Sequence, residues 1–127
     1  MQKLLLIGAG GFLGSVLRYA VGGLAHRLAP GTLFPVGTLA VNVLGCLALG
    51  FLHGLAGARG VVTPEARLFL MIGLLGGFTT FSTFGLETLA LAQEAEGVRA
   101  AANVVLNLGA GLAAVWLGHL LGRIGMG

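Results

Sequence analysis

Four apolar runs, residues 4–25, 34–55, 68–92 and 100–121, decide what this chain can fold into. Each is about 20–25 residues long, enough for a helix to cross the ~30 Å hydrocarbon layer of a bilayer. Inside that layer the protein itself must satisfy every backbone N–H and C=O, which a helix achieves within one segment. The expectation is an all-α membrane protein, a single domain over residues 1–127 with four transmembrane helices and short connections. The connections, residues 26–32, 58–67 and 93–99, carry most of the charge. The third run is preceded by a helix-start signal, with Thr63 as cap and Pro64 in the first turn. The first run lacks the bounded hydrophobic core and cleavage site of a secretory leader, so no cleaved signal peptide is expected.

Composition excludes most other classes. With 57% hydrophobic and 9% charged residues, the chain is unlike an ordinary soluble domain. Its 24 glycines follow no collagen period and come with only three prolines. Several stand four apart in pairs, Gly10/Gly14, Gly50/Gly54, Gly73/Gly77 and Gly118/Gly122, the spacing that lets membrane helices approach closely. The net charge of +3 is scattered, leaving no basic patch for nucleic acid. Cys46 is the only cysteine, so a disulfide or a thiolate metal site within one chain is excluded, and it reads as a small core residue. Gly8 and Gly10 imitate the start of a dinucleotide-binding fingerprint. Leu13 fills the third glycine position, no acidic residue precedes Glu65, and no strand–helix–strand unit follows. Helix packing is the better account of these glycines.

Four spans put both termini on one side of the membrane. Lys3, Arg59, Arg67 and Arg123 fall on that side, Arg27 and Arg99 on the other. Basic residues favour the cytoplasmic face, and four against two is a bias weak enough to permit insertion in both orientations.

Polar residues inside the spans point to function, because each must find a partner or a purpose in lipid. The third run contains Gly76-Gly-Phe-Thr-Thr-Phe-Ser-Thr-Phe84, with two adjacent glycines, four hydroxyls and three phenylalanines. Gly76 and Gly77 permit unusual torsions, and the hydroxyls of Thr79 and Thr80 compete for backbone hydrogen bonds. A break in the third helix is expected here, tolerable at membrane depth only where protein or water satisfies the freed groups. Freed carbonyls would suit a hard cation, whereas freed amides and hydroxyls would suit an anion. Phe78, Phe81 and Phe84 recur every three residues and cluster on one side if the helix continues. Aromatic core packing is the plain reading, but ring edges are electropositive and stand beside Ser82 and Thr83.

The other spans add to this face. Asn42 and Thr38 are four apart on the second helix, and Asn103 and Asn107 four apart on the fourth, so each pair shares a helix side. Interhelical hydrogen bonding and the lining of a polar path both account for them. Glu87 is the only acid well inside a span, with a place near the interface as its plain reading. Arg18 lies about 15 residues, or roughly 22 Å, along the first helix from Lys3. It reads both as an arginine snorkelling beside Tyr19 and as a fixed positive charge at a pore mouth. Trp116 and His119 read as packing or interface residues, His26 as a loop residue and His53 as lying near a helix end; no pair has metal-ligand spacing.

The third-run segment closely resembles the hallmark of the Fluc (CrcB) fluoride channel family. So do Gly10-Gly-Phe-Leu-Gly-Ser-Val-Leu-Arg-Tyr19 and Gly37-Thr-Leu-Ala-Val-Asn-Val-Leu-Gly45, and the likeness extends over essentially the whole chain. The resemblance implies passive fluoride export through a multi-pass protein of the cell (inner) membrane. It further implies an antiparallel, dual-topology homodimer with two pores between the subunits. Carried over by position, Phe81 and Phe84 contact fluoride with their ring edges and Asn42 donates a hydrogen bond to it. Ser82, Thr83 and Glu87 continue the polar track with Thr38, and Arg18 matches the first-helix arginine. The carbonyls of Gly76 and Thr79 hold a structural sodium ion at the dimer interface. Asn103 and Asn107 stand where the family often shows tyrosine and serine, and asparagine retains the ability to donate.

Two other classes compete. A proton-coupled exporter of the small multidrug resistance type needs an embedded carboxylate, but the first span has none and Glu87 comes late in the third. A non-transporting scaffold leaves Asn42 and the hydroxyl run unexplained. No nucleophile–base constellation suggests an enzyme.

Overall fold

The computed structural model describes residues 1–124, with the side chains of residues 58 and 59 outside the description. Helices α1 (Gln2–Leu28) and α2 (Val36–Arg59) form the first two spans. The third span is assembled from α3 (Pro64–Ala66), a π-helical stretch (Arg67–Leu75), α4 (Gly76–Phe78) and α5 (Phe81–Gln93). Helix α6 (Gly97–Ile124) is the fourth. All four spans are long and apolar enough to cross a membrane, so the chain is a multi-pass membrane protein.

The helices overrun the apolar runs by a few residues at most ends. Helical hydrogen bonding continues into the interfacial polar residues, whereas hydropathy marks only the hydrocarbon. The start of α2 is the exception: the run begins at residue 34, but Pro35 stands as cap before a helix that opens at Val36. Thr63 caps the third span as its sequence predicts, accepting from Ala66 N at 3.2 Å with Pro64 at the first helical position. At the other end of that span the chain turns through Ala95, a non-glycine residue with φ 62°. Glu96 N donates to Leu91 O (2.9 Å) and Ala95 N to Ala92 O (3.3 Å), the two-bond Schellman closure usually built on glycine. Of the connector charges expected on either side, Arg99 pairs with Glu96 at 2.7 Å. The side chain of Arg59 lies outside the described residues.

Packing follows the glycine pairs. Helix α1 runs parallel to the third span, and a Cβ added at Gly10 or Gly14 would run into the carbonyl oxygens of Phe69 or Leu74. Helix α2 runs parallel to α6 in the same way, with Gly54 against the His119 carbonyl and Gly118 against that of Leu47. Small residues let the backbones touch, which replaces the hydrophobic drive that lipid removes. Gly54→Ala should therefore cost ~1–3 kcal/mol through overpacking, read as a lower melting temperature in detergent. Gly109→Ala, where nothing lies within 4 Å, should leave melting unchanged.

The winding of the third span departs from α-helix over a longer stretch than the residue types suggest. From Arg67 to Leu75 it is π-helical, although Gly73 is the one weak helix former in that otherwise leucine-rich, proline-free sequence. The stretch lies where carbonyls of this span press against the α1 glycines. Beyond it, two residues in extended backbone separate α4 from α5: Thr79 (φ −79°, ψ 157°) and Thr80 (φ −150°, ψ 118°).

Candidate functional site

Of the two extended residues, Thr79 is tied to Leu75 O within its own span, and Thr80 is held from outside it. Asn42, on α2, presents its amide edge to the Thr80 peptide: Thr80 N donates to Asn42 Oδ1 (2.9 Å) and Asn42 Nδ2 donates to Thr80 O (3.0 Å). This two-way match fixes which end of the Asn42 amide is oxygen, because the Thr80 N–H can only donate. Thr80 then restarts the helix as its cap, its hydroxyl accepting from Thr83 N (3.3 Å) and donating to Thr83 Oγ1 (2.9 Å). In a continuous α-helix, Thr80 N would bond Gly76 O and Thr83 N would bond Thr79 O. Both donors are diverted, so the carbonyls of Gly76 and Thr79 lose their helical partners. They are hard, neutral oxygen donors, chemically suited to a hard cation.

Asn42 also begins an asparagine chain. Its second amide hydrogen goes to Asn107 Oδ1 (3.0 Å), and Asn107 Nδ2 donates to Asn103 O (3.0 Å) and Asn103 Oδ1 (2.9 Å). Asn103, with no exposed surface at all, donates to Thr88 Oγ1 (2.9 Å), which in turn donates to Phe84 O (2.8 Å). All three asparagines therefore serve interhelical bonding, and both amide hydrogens of Asn42 are engaged within the chain. The sequence did not single out Thr88; the available signal is its position four residues after Phe84, where a threonine can bond back to the carbonyl.

The phenylalanine stripe is divided. The helix does not continue from Phe78 to Phe81, so Phe78 packs against Gly45 and is buried. Phe81 and Phe84 remain together, with ring centroids 5.3 Å apart and planes tilted by 58°. Phe84 is buried, whereas Phe81 is 77% exposed and flanked by the exposed residues Ser82 and Thr83.

Two grooves meet at Thr80. One, about 280 Å³, is lined by Asn42, Gly76, Thr79, Phe81, Phe84 and Asn107 among others. The other, about 750 Å³, brings Arg18, His26 and Arg27 to the same space as Thr38, Thr80 and Thr83. Glu87 stands apart from both linings, tied to α2 by a 2.7 Å bond from Thr38 Oγ1, with its second carboxylate oxygen buried and unpartnered. The sequence-predicted residues are thus gathered at the junction of α2, the third span and α6, with Arg18 at the mouth of the larger groove.

Residues 5–119 match the family model described as CrcB-like protein, Camphor Resistance (CrcB). The chain belongs to the CrcB family. Relatives bearing the name fluoride-specific ion channel FluC align with it along almost their entire length. The one from Methylobacillus flagellatus is 44% identical over 126 residues, covering 99% of this chain and 98% of its own. Those from Nitratidesulfovibrio vulgaris and Chlorobaculum tepidum are each 47% identical over 124 residues, covering 98% of this chain and 99% and 97% of theirs. The match to the CrcB model takes in all three segments on which the sequence resemblance rests, and with them the Asn42–Thr80 clamp and the Phe81–Phe84 pair.

Proposed function

We propose that the chain is a fluoride-selective channel that passively exports fluoride across the cell (inner) membrane, working as an antiparallel, dual-topology homodimer. One observation carries this reading: an aromatic ring and two hydroxyl residues, Phe81, Ser82 and Thr83, lie exposed in the interior of a membrane span. Hydroxyls facing hydrocarbon are costly, so this face calls for a second subunit and an ion. Fluoride is small and strongly hydrated, and a pore that strips its water must offer close donors in return. Ser82 and Thr83 supply O–H groups, and Phe81 and Phe84 supply electropositive ring edges. Asn42 can donate as well by exchanging the Asn107 oxygen for the ion, since a full negative charge is the stronger acceptor. Arg18, in the wide groove, draws anions toward Thr38, Thr80 and Thr83. Asn107 lines the same groove as Phe81 and Phe84, and Asn103 and Glu87 continue the polar track while holding α5 to α6 and to α2.

The diverted backbone bonds around Thr80 support a structural sodium ion. The carbonyls of Gly76 and Thr79 from each of two subunits would give four oxygen ligands on the dimer axis. When bound, the ion would supply fixed positive charge and tie the subunits together.

Purified protein in liposomes loaded with fluoride should release it down its gradient, with chloride retained. Efflux that appears only when a proton gradient is imposed would favour the exporter of the small multidrug resistance type. No efflux under either condition would leave a scaffold.

A further inference from the structure

We propose that His53 and His119 form a site for a divalent transition-metal ion of borderline softness, such as Ni²⁺ or Zn²⁺, bridging α2 and α6. The two histidines are far apart in sequence and have no ligand spacing within either helix. The glycine contacts between α2 and α6, with Gly54 against the His119 carbonyl, bring their rings to a centroid separation of 5.4 Å. Two imidazoles on one tetrahedral ion, with metal–nitrogen bonds of about 2.0–2.1 Å and about 1.1 Å more from nitrogen to ring centre, have centroids roughly 5.1–5.2 Å apart. The observed separation therefore needs no movement of either helix.

A second observation concerns the nitrogens. His119 Nδ1 is buried and has no hydrogen-bond partner. Buried polar atoms are ordinarily satisfied, and here the neighbouring group is another imidazole. A direct N–H···N bond at this separation would have to run nearly along the line joining the rings. The rings are instead tilted by 39°, and His119 Nδ1 makes no hydrogen bond. A metal ion held between the rings would give that nitrogen a partner. Imidazole ligands suit Ni²⁺, Cu²⁺ and Zn²⁺ rather than Mg²⁺ or Ca²⁺. Among the described residues no third histidine, cysteine or carboxylate joins the pair, so water completes the shell. His53 is exposed and lies one turn before Gly57, where the span ends, so an ion reaches the site from the aqueous face.

The protein carries its own reporter. Trp116 is the only tryptophan, stands three residues before His119 on α6 and is therefore on the same side of that helix. Tag-free, full-length protein in nanodiscs is titrated with NiCl₂ at pH 7.5 while Trp116 emission is followed. The expected result is saturable quenching, reversed by a chelator. His53→Ala and His119→Ala should each move the half-point by at least about tenfold, the loss of one of two ligands being worth ~1.4 kcal/mol or more. His26→Ala should not move it. ZnCl₂ should raise the melting temperature of the parent by about 3–6 °C and leave that of His53→Ala unchanged. His53 is exposed, so its variant decides the matter even if His119→Ala fails to fold. Quenching that does not saturate, or a half-point unmoved by His53→Ala, overturns the proposal. So does quenching that persists in the presence of excess chelator.

Discussion

Phe81→Ile is expected to reduce fluoride efflux from liposomes to the leak of protein-free vesicles. Isoleucine keeps most of the bulk and removes the electropositive ring edge. A loss of more than about a hundredfold requires only ~2.7 kcal/mol of forfeited ion stabilisation, at ~1.36 kcal/mol per decade. The fold should be indifferent to the change, because the ring is 77% exposed in the single chain and its one aromatic neighbour is Phe84. Melting temperature and elution volume should therefore match the parent, which separates a pore defect from misfolding. Efflux at the parent rate would remove Phe81 from the conduction path.

Asn42→Leu should abolish efflux by another route and reduce stability as well. It strips partners from Thr80 N, Thr80 O and Asn107 Oδ1 at once. Each buried polar atom left unsatisfied costs ~1–3 kcal/mol, so a loss of roughly 3 kcal/mol or more is expected. Asn42→Asp distinguishes shape from hydrogen bonding. The carboxylate can still accept from Thr80 N, but it turns an acceptor toward two acceptors, Thr80 O and Asn107 Oδ1. Both variants should melt well below the parent in detergent. A variant that melts like the parent would mean that the extended backbone at Thr79 and Thr80 persists without its clamp.

The division between what the sequence discloses and what it withholds follows from geometry. Hydropathy locates the four spans because each must match the same thickness of hydrocarbon. Glycine spacing discloses contact faces, since Gly10/Gly14 and Gly50/Gly54 lie one turn apart whatever their partners are. The same rule places Asn103 beside Asn107. Spacing is silent, however, about which face of one helix meets which face of another. That Asn42 finds Thr80, Thr38 finds Glu87 and His53 finds His119 depends on rotations set by backbone contacts between distant glycines. The π-helical stretch escapes notice because Arg67-Leu-Phe-Leu-Met-Ile-Gly-Leu-Leu75 holds no proline and only one glycine, too little to predict that an α-helix widens over nine residues. The place of Phe78 stays open in the sequence for a related reason: a period of three has meaning only while the helix runs on, and extended residues at Thr79 and Thr80 reset it.

The asparagine chain has a direction, and this bears on how such a protein can change over generations. Thr80 orients Asn42, Asn42 orients Asn107, Asn107 draws on Asn103, and Asn103 ends on Thr88. No amide can turn over without setting donor against donor or acceptor against acceptor at a neighbouring amide. Positions 42, 103 and 107 therefore act as one heritable character spread over two helices. Replacing Asn107 alone leaves Asn42 Nδ2 and Asn103 Oδ1 each short of a partner, so a workable change there calls for a second one along the chain.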